Sequence, residues 1–193
     1  MPNRRECHHG RVSLPASIIV GVVLAAGAGR RYGKPKVLVE GWLDTAVAAL
    51  HDGGCTEIVV VLGAAEVPAP DGVTAITAPD WQQGLSASVR AGLTAADRLG
   101  ADYAVLHVID TPDVDAKVVA RVVNRALASR SGLARARFGD RPGHPVVIAR
   151  RHWPGVLGGI AGDHGAAGYL GTQPDVAMVD CGDLATGRDI DEP

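Results

Sequence analysis

A run of aliphatic, mostly β-branched residues from Ile18 to Val23 ends abruptly in LAAGAGRRYGKPK, residues 24 to 36, where three glycines, four cationic side chains and one proline share thirteen positions. Such a run suits a strand covered on both faces. Glycines directly after it admit positive φ angles, so several backbone N–H groups can converge on one anion. Gly27, Gly29 and Gly33 also read as GxGxxxG, the mark of a dinucleotide turn, in which a helix starts near the second glycine and sets its positive end on a pyrophosphate. Pro35 opposes that fold, because it would remove an amide and clash inside the helix, at a cost of about 3 kcal/mol. The segment is therefore expected to remain an open loop. Arg30, Arg31, Lys34 and Lys36 give it charge enough for three linked phosphates, arginine gripping oxygens in pairs and lysine acting as a point charge.

Further continuous apolar runs occur at Glu57 to Gly63, Tyr103 to Asp110 and His144 to Ala149, with weaker ones at Val73 to Thr77, Leu133 to Phe138 and Val176 to Cys181. Between them, Leu43 to Gly53, Leu85 to Leu99 and Ala116 to Ser129 space their apolar residues three and four apart, as amphipathic helices do. This alternation predicts a three-layer α/β fold with a mostly parallel sheet. The short GDRPG link between Leu133–Phe138 and His144–Ala149 adds one local antiparallel excursion. Ligands of such sheets collect at the carboxyl ends of the strands, where Asp110 stands. A helix after Pro112 would take its cap from Asp113 or Asp115, which leaves Asp110 for other work.

Nothing global in the chain asks for a polyanionic partner. The formal charge is −2 over 193 residues, and well-mixed charges of that balance give no pull toward nucleic acid or an anionic membrane surface. No stretch reaches the roughly 20 apolar residues of a membrane span, and the start lacks the apolar centre of a secretory signal. Cys7, Cys55 and Cys181 form neither an even disulfide set nor a metal spacing, which fits a reducing cytoplasm. Cys7, His8 and His9 match no zinc motif, so residues 1–17 are expected to be a flexible tail before one domain at 18–193. Arginine outnumbers lysine sixteen to three, yet two of the three lysines, Lys34 and Lys36, sit in the loop.

The loop resembles the LAAGxGxRxGxxK signature of nucleotidyltransferases of the molybdenum-cofactor, MobA-like class. Other segments extend the likeness: APDWQQGLSASVRAGL at 78 to 93, VIDTPDV at 108 to 114, RPGHPVVIARRHWPGV, GDHGA and the closing DIDEP. The resemblance implies a Rossmann-like nucleotidyltransferase fold. It further implies that Leu24, Ala25, Ala26, Gly27, Gly29, Arg31 and Lys36 hold the nucleotide's phosphates, with Arg31, Lys36 and Asp110 catalytic. Mg2+ would lie between Asp110 and Asp189, with Asp191 as second choice. Gly84 and Ser88 would present an amide and a hydroxyl to the base, and Arg141, His144 and Asp163 would face the acceptor.

LAAG, rather than LAGG, is the cytidylyl form of the motif. The implied reaction is therefore transfer of CMP from CTP to the terminal phosphate of molybdopterin, with release of pyrophosphate, in service of a molybdenum hydroxylase. A GTP-dependent or sugar-phosphate enzyme of the same fold is the sister reading. Ile109, where the class often has glycine, and the compact EGWLDTAV segment motivate a molybdenum cofactor carrier without catalysis. A nicotinamide oxidoreductase ranks behind these because of Pro35. Trp81 and Trp153 are each read as packing residues rather than ring-stacking ones.

Overall fold

The computed structural model describes residues 17–192, so the expected tail, with Cys7, His8 and His9, lies outside the described residues except for Ser17. Seven strands alternate with five helices: β1 Ile19–Leu24, α1 Trp42–Asp52, β2 Glu57–Leu62, β3 Thr74–Thr77, α2 Leu85–Arg98, β4 Tyr103–Val108, α3 Ala116–Ala128, β5 Leu133–Phe138, β6 Arg141–Ala149, α4 Trp153–Gly159, α5 Ala167–Gly171 and β7 Ala177–Asp180. They form one sheet in the order β3-β2-β1-β4-β6-β5-β7. Every adjacent pair is parallel except β4–β6 and β5–β6, so β6 alone runs against the rest. The expected fold class is what the chain adopts.

Strand alternation divides the core in two. Val20, Val22, Val59, Val61 and Leu106 face α2, α4 and α5, whereas Val23, Ile58, Val60 and Val105 face α1 and α3. All six residues of β1 are buried, as a strand sandwiched between helix layers requires. Helices α1, α2 and α3 each lie within a residue or two of their expected spans, whereas α4 and α5 had none. Asp115 caps α3 by accepting from the Lys117 and Val118 amides. Asp113 does something else: one carboxylate oxygen takes the Thr186 amide, the Thr186 hydroxyl and the Gly187 amide at 2.7, 2.6 and 3.2 Å.

One expectation needs correcting. β6 starts at Arg141 rather than His144, because Arg141 and Pro142 pair with Phe138 and Arg137 across a turn at Gly139 and Asp140, after a register shift between Arg135 and Arg137. Prolines hid this start, since they remove ladder donors and read as loop.

His107, opposite Val23 in the β1–β4 ladder, is 1 % exposed and its Nδ1 has no partner. Burial first, then the neighbouring His144, pushes its ring down to about 3, against a small opposing pull from Asp110. Above pH 6.5 folded and unfolded chains both carry a neutral ring. Below it the unfolded chain takes up a proton that the folded chain refuses, so stability falls as the pH drops, by about 2 kcal/mol at pH 5. Urea unfolding at pH 7 and pH 5 should show this loss in the natural chain and a smaller one in His107→Leu. Equal losses would assign the acid weakness to other groups.

Candidate active site

A cleft of about 460 Å³ opens at the carboxyl ends of β1 and β4. Its floor is the segment after β1. Residues 25–29 belong to no regular element, Arg30–Gly33 turn, and a single 3-10 turn, Lys36–Leu38, follows Pro35. No regular helix forms there, as Pro35 implied. Gly29 makes the bend at φ +59, and a Cβ on it would lie 1.9 Å from the Lys34 carbonyl oxygen, so only glycine fits. Its own carbonyl closes the turn by accepting from the Gly33 amide at 2.8 Å. Among the described residues, the amides of Gly27 to Arg31 meet no protein acceptor. That leaves a row of free donors lining a concave loop.

Lys36 is the centre of charge. Its Nζ donates to Asp110 Oδ2 at 2.7 Å and to Asp191 Oδ1 at 2.8 Å, and its side chain is only 12 % exposed. Desolvation would lower the ammonium, but the two carboxylates outweigh it and hold the group above its ordinary value. Lys36 therefore stays charged across neutral pH. Arg31, mostly in solvent, reaches the other oxygen of Asp191 at 2.8 Å. The Lys36 bond holds the Asp191 carboxyl below the usual carboxylate range, against mild desolvation. Asp189 behaves in the opposite way: desolvation, then the negative charges of Asp110 and Asp191, push its carboxyl up.

The tail that carries these acids is tied down. Besides the Asp113 contacts, the Ile190 amide donates to the Asp110 carbonyl at 2.9 Å. Asp110, Asp189 and Asp191 thus crowd one corner with hard oxygen donors only. Among the described residues no three His, Cys, Asp or Glu side chains are placed to close on one ion. Magnesium or manganese fits such a corner, because these ions accept one or two carboxylates and leave the other positions to water and substrate phosphates.

Leu24, Ala25, Ala26, Gly27, Gly29, Arg31, Lys36, Gly84, Ser88, Asp110 and Asp163 all line the cleft. Asp191, Tyr32, Trp81 and Gln82 join them, and of these the sequence had raised Asp191 only as second choice for the metal and Trp81 as packing. Gly84 lines the wall, but its amide donates to the Trp81 carbonyl at 3.0 Å, so the donor expected for a base is already engaged. The three residues expected at the acceptor are not brought together. Asp163 lies over Gly84, where a Cβ would come within 2.2 Å of its Oδ1, and the Ser86 amide fastens its loop through the Gly162 carbonyl at 3.0 Å. Arg141 instead donates to the Thr186 carbonyl at 3.2 Å. His144 sits three residues along β6 from Arg141, hence on the other face of the strand. Trp153 is core, 3 % exposed, with its indole donating to the Ile148 carbonyl.

Comparison with known proteins follows the same outline. The family described as MobA-like NTP transferase domain matches residues 21–176. Nicotine blue oxidoreductase of Paenarthrobacter nicotinovorans is 32 % identical over 198 residues, covering 94 % of this chain and 95 % of its own. The crystal structure of Rv0371c from Mycobacterium tuberculosis H37Rv superposes with a TM-score of 0.77 at 27 % identity, over 93 % of this chain and 95 % of that one. The same mycobacterial protein in complex with manganese gives 0.71 at 25 % identity, over 90 % and 94 % of the two chains.

Proposed function

This chain belongs to the MobA-like NTP transferases, and on that premise we propose that it transfers CMP from CTP, with Mg2+, to the terminal phosphate of molybdopterin. The observation that carries the proposal is Lys36 held between Asp110 and Asp191 at the edge of a loop of free amides. Such a loop is built for oxyanions, and a triphosphate is the one with enough charge to need it. Leu24, Ala25, Ala26 and Gly27 support CTP through the cytidylyl form of the motif. Further reach, to a molybdenum hydroxylase as the client, follows from the same resemblance.

In this reaction an oxygen of the acceptor phosphate attacks the α-phosphorus in line, the bond to the β-phosphate oxygen breaks, and pyrophosphate leaves with the electron pair. The amides of Gly27 to Arg31 and the Arg31 guanidinium hold the β and γ phosphates. Lys36 exchanges a carboxylate for an α-phosphate oxygen and offsets the charge that grows there. Asp110, with Asp191 or Asp189, offers the oxygens for the divalent ion. Bound magnesium would supply positive charge that offsets part of the charge on the phosphates. The protein's contribution is positioning and electrostatics rather than covalent chemistry.

One relative motivates a second reading. Nicotine blue oxidoreductase carries an oxidoreductase name at 32 % identity, so reduction with a nicotinamide cofactor is the competitor. The open loop between Gly29 and Pro35 argues against it, for it lacks the helix that seats a dinucleotide pyrophosphate. Thermal melting with CTP, GTP, ATP and NADPH, each with and without Mg2+, separates the two. Magnesium-dependent stabilisation by CTP, about 2.7 kcal/mol at a hundred times Kd, is the expected result. Stabilisation by NADPH alone would replace the transferase reading with the reductase one.

A further inference from the structure

The cations assigned to the triphosphate already have partners. Lys36 Nζ donates to Asp110 and to Asp191, and the Arg31 guanidinium holds the second oxygen of Asp191. Asp191 therefore spans both residues, one oxygen to each at 2.8 Å, as two oxygens of a phosphate chain would. Arg30 is the other cation lining the cleft, but Asp110, Asp163 and Asp191 line it too, and Asp189 stands close enough to feel the charges of Asp110 and Asp191. A cleft in such balance exerts no net pull on a bare, strongly anionic triphosphate.

The mounting of Asp191 suits a residue that changes partners. Upstream the tail is fixed, with the Thr186 and Gly187 amides on Asp113 and the Ile190 amide on the Asp110 carbonyl. Anchorage stops there. Among the described residues the backbone of Asp191 makes no hydrogen bond, and its side chain, 34 % exposed, is held by the two cations alone. Arg31 is 78 % exposed, so its half of the clasp is screened by water and weak. A chain pinned at residue 190 and held at 191 only by charge can free the carboxylate without unfolding anything.

We propose that Asp191 is a specificity residue that excludes metal-free nucleotide: its carboxylate stands in for a phosphate on Lys36 and Arg31, and yields them only to a triphosphate that arrives with a divalent ion. A bare triphosphate taking both cations would leave Asp110 and Asp191 unpaired beside its own charge, and a complex that strands charges in this way is the one rejected. With the ion present, the released carboxylates have a cation that takes hard oxygen donors. One residue thus opposes one form of the ligand and favours the other. Calling the ligand a nucleoside triphosphate rests on the transferase reading; the exclusion of bare polyphosphate does not.

Calorimetry tests this with CTP and inorganic tripolyphosphate, each in EDTA and in Mg2+, on the natural chain, Asp191→Asn and Asp189→Asn. In EDTA Asp191→Asn should bind both probes at least tenfold more tightly than the natural chain does, and in Mg2+ more weakly. Asp189→Asn removes a like charge but frees neither cation, so it should gain less than threefold in EDTA. Asp191→Asn keeps the Ile190 and Asp113 anchors, and it should melt with the natural chain. No gain in EDTA would make Asp191 a clasp for the tail and overturn the proposal. An equal gain in Asp189→Asn would overturn it too, by reducing the effect to net charge, and so would tighter binding by Asp191→Asn in both buffers. A natural chain that binds neither probe even in Mg2+ removes the proposal together with the transferase reading. Tripolyphosphate following the expected pattern while CTP fails to bind removes the transferase reading and leaves the role of Asp191 standing.

Discussion

Replacing Lys36 by methionine is expected to lower kcat by about a thousandfold, the upper end of what one preorganised donor to a developing negative charge supplies. In the same protein Mg2+ binding should become tighter. The two effects share one cause. In the resting chain Lys36 neutralises Asp110 and Asp191 at 2.7 and 2.8 Å, so a divalent ion entering that corner competes with an ammonium already in place. Methionine keeps the stem and removes the competitor. Turnover and metal affinity, measured by pyrophosphate release and by calorimetry, should therefore move in opposite directions. Parallel loss of both would mean that Lys36 only scaffolds the acids.

Asp110→Asn should be the second severe change, lowering kcat/KM by roughly a thousandfold if the carboxylate is the principal metal ligand and transfer depends on the charge it helps place. Here metal binding should fall together with turnover. The fold should survive, because Lys36 keeps its bond to Asp191 and the Asp110 carbonyl still accepts from Ile190. Binding of CTP without magnesium should be undiminished, since one negative charge beside the triphosphate has gone. An Asp110→Asn protein with ordinary magnesium-dependent turnover would move the metal to Asp189 and Asp191 and end the proposed mechanism.

What could be read from the sequence is what is local. The loop declared itself because a glycine needed at φ +59 and a proline that stops a helix leave marks within a few residues. The strands and long helices declared themselves because burial on one or both faces imposes a period. Contacts made across the chain left no such mark. Asp113 bonding Thr186 spans 73 residues, and no pattern near either end announces it. The choice between Asp189 and Asp191 is of the same kind. In an extended tail, residues two apart take different neighbours once Ile190 anchors on Asp110, and the anchor belongs to a partner 80 positions earlier.

One side of the cleft is the loop after β1 with the end of β4, and the other is Trp81, Gln82 and Gly84 at the entry to α2 with Asp163 from the loop before α5. The second side is a single turn and a loop, and such segments tolerate changes of length and chemistry better than the strands that carry them. This architecture can therefore exchange one clientele for another by rewriting that side while its energy-bearing half stays as it is.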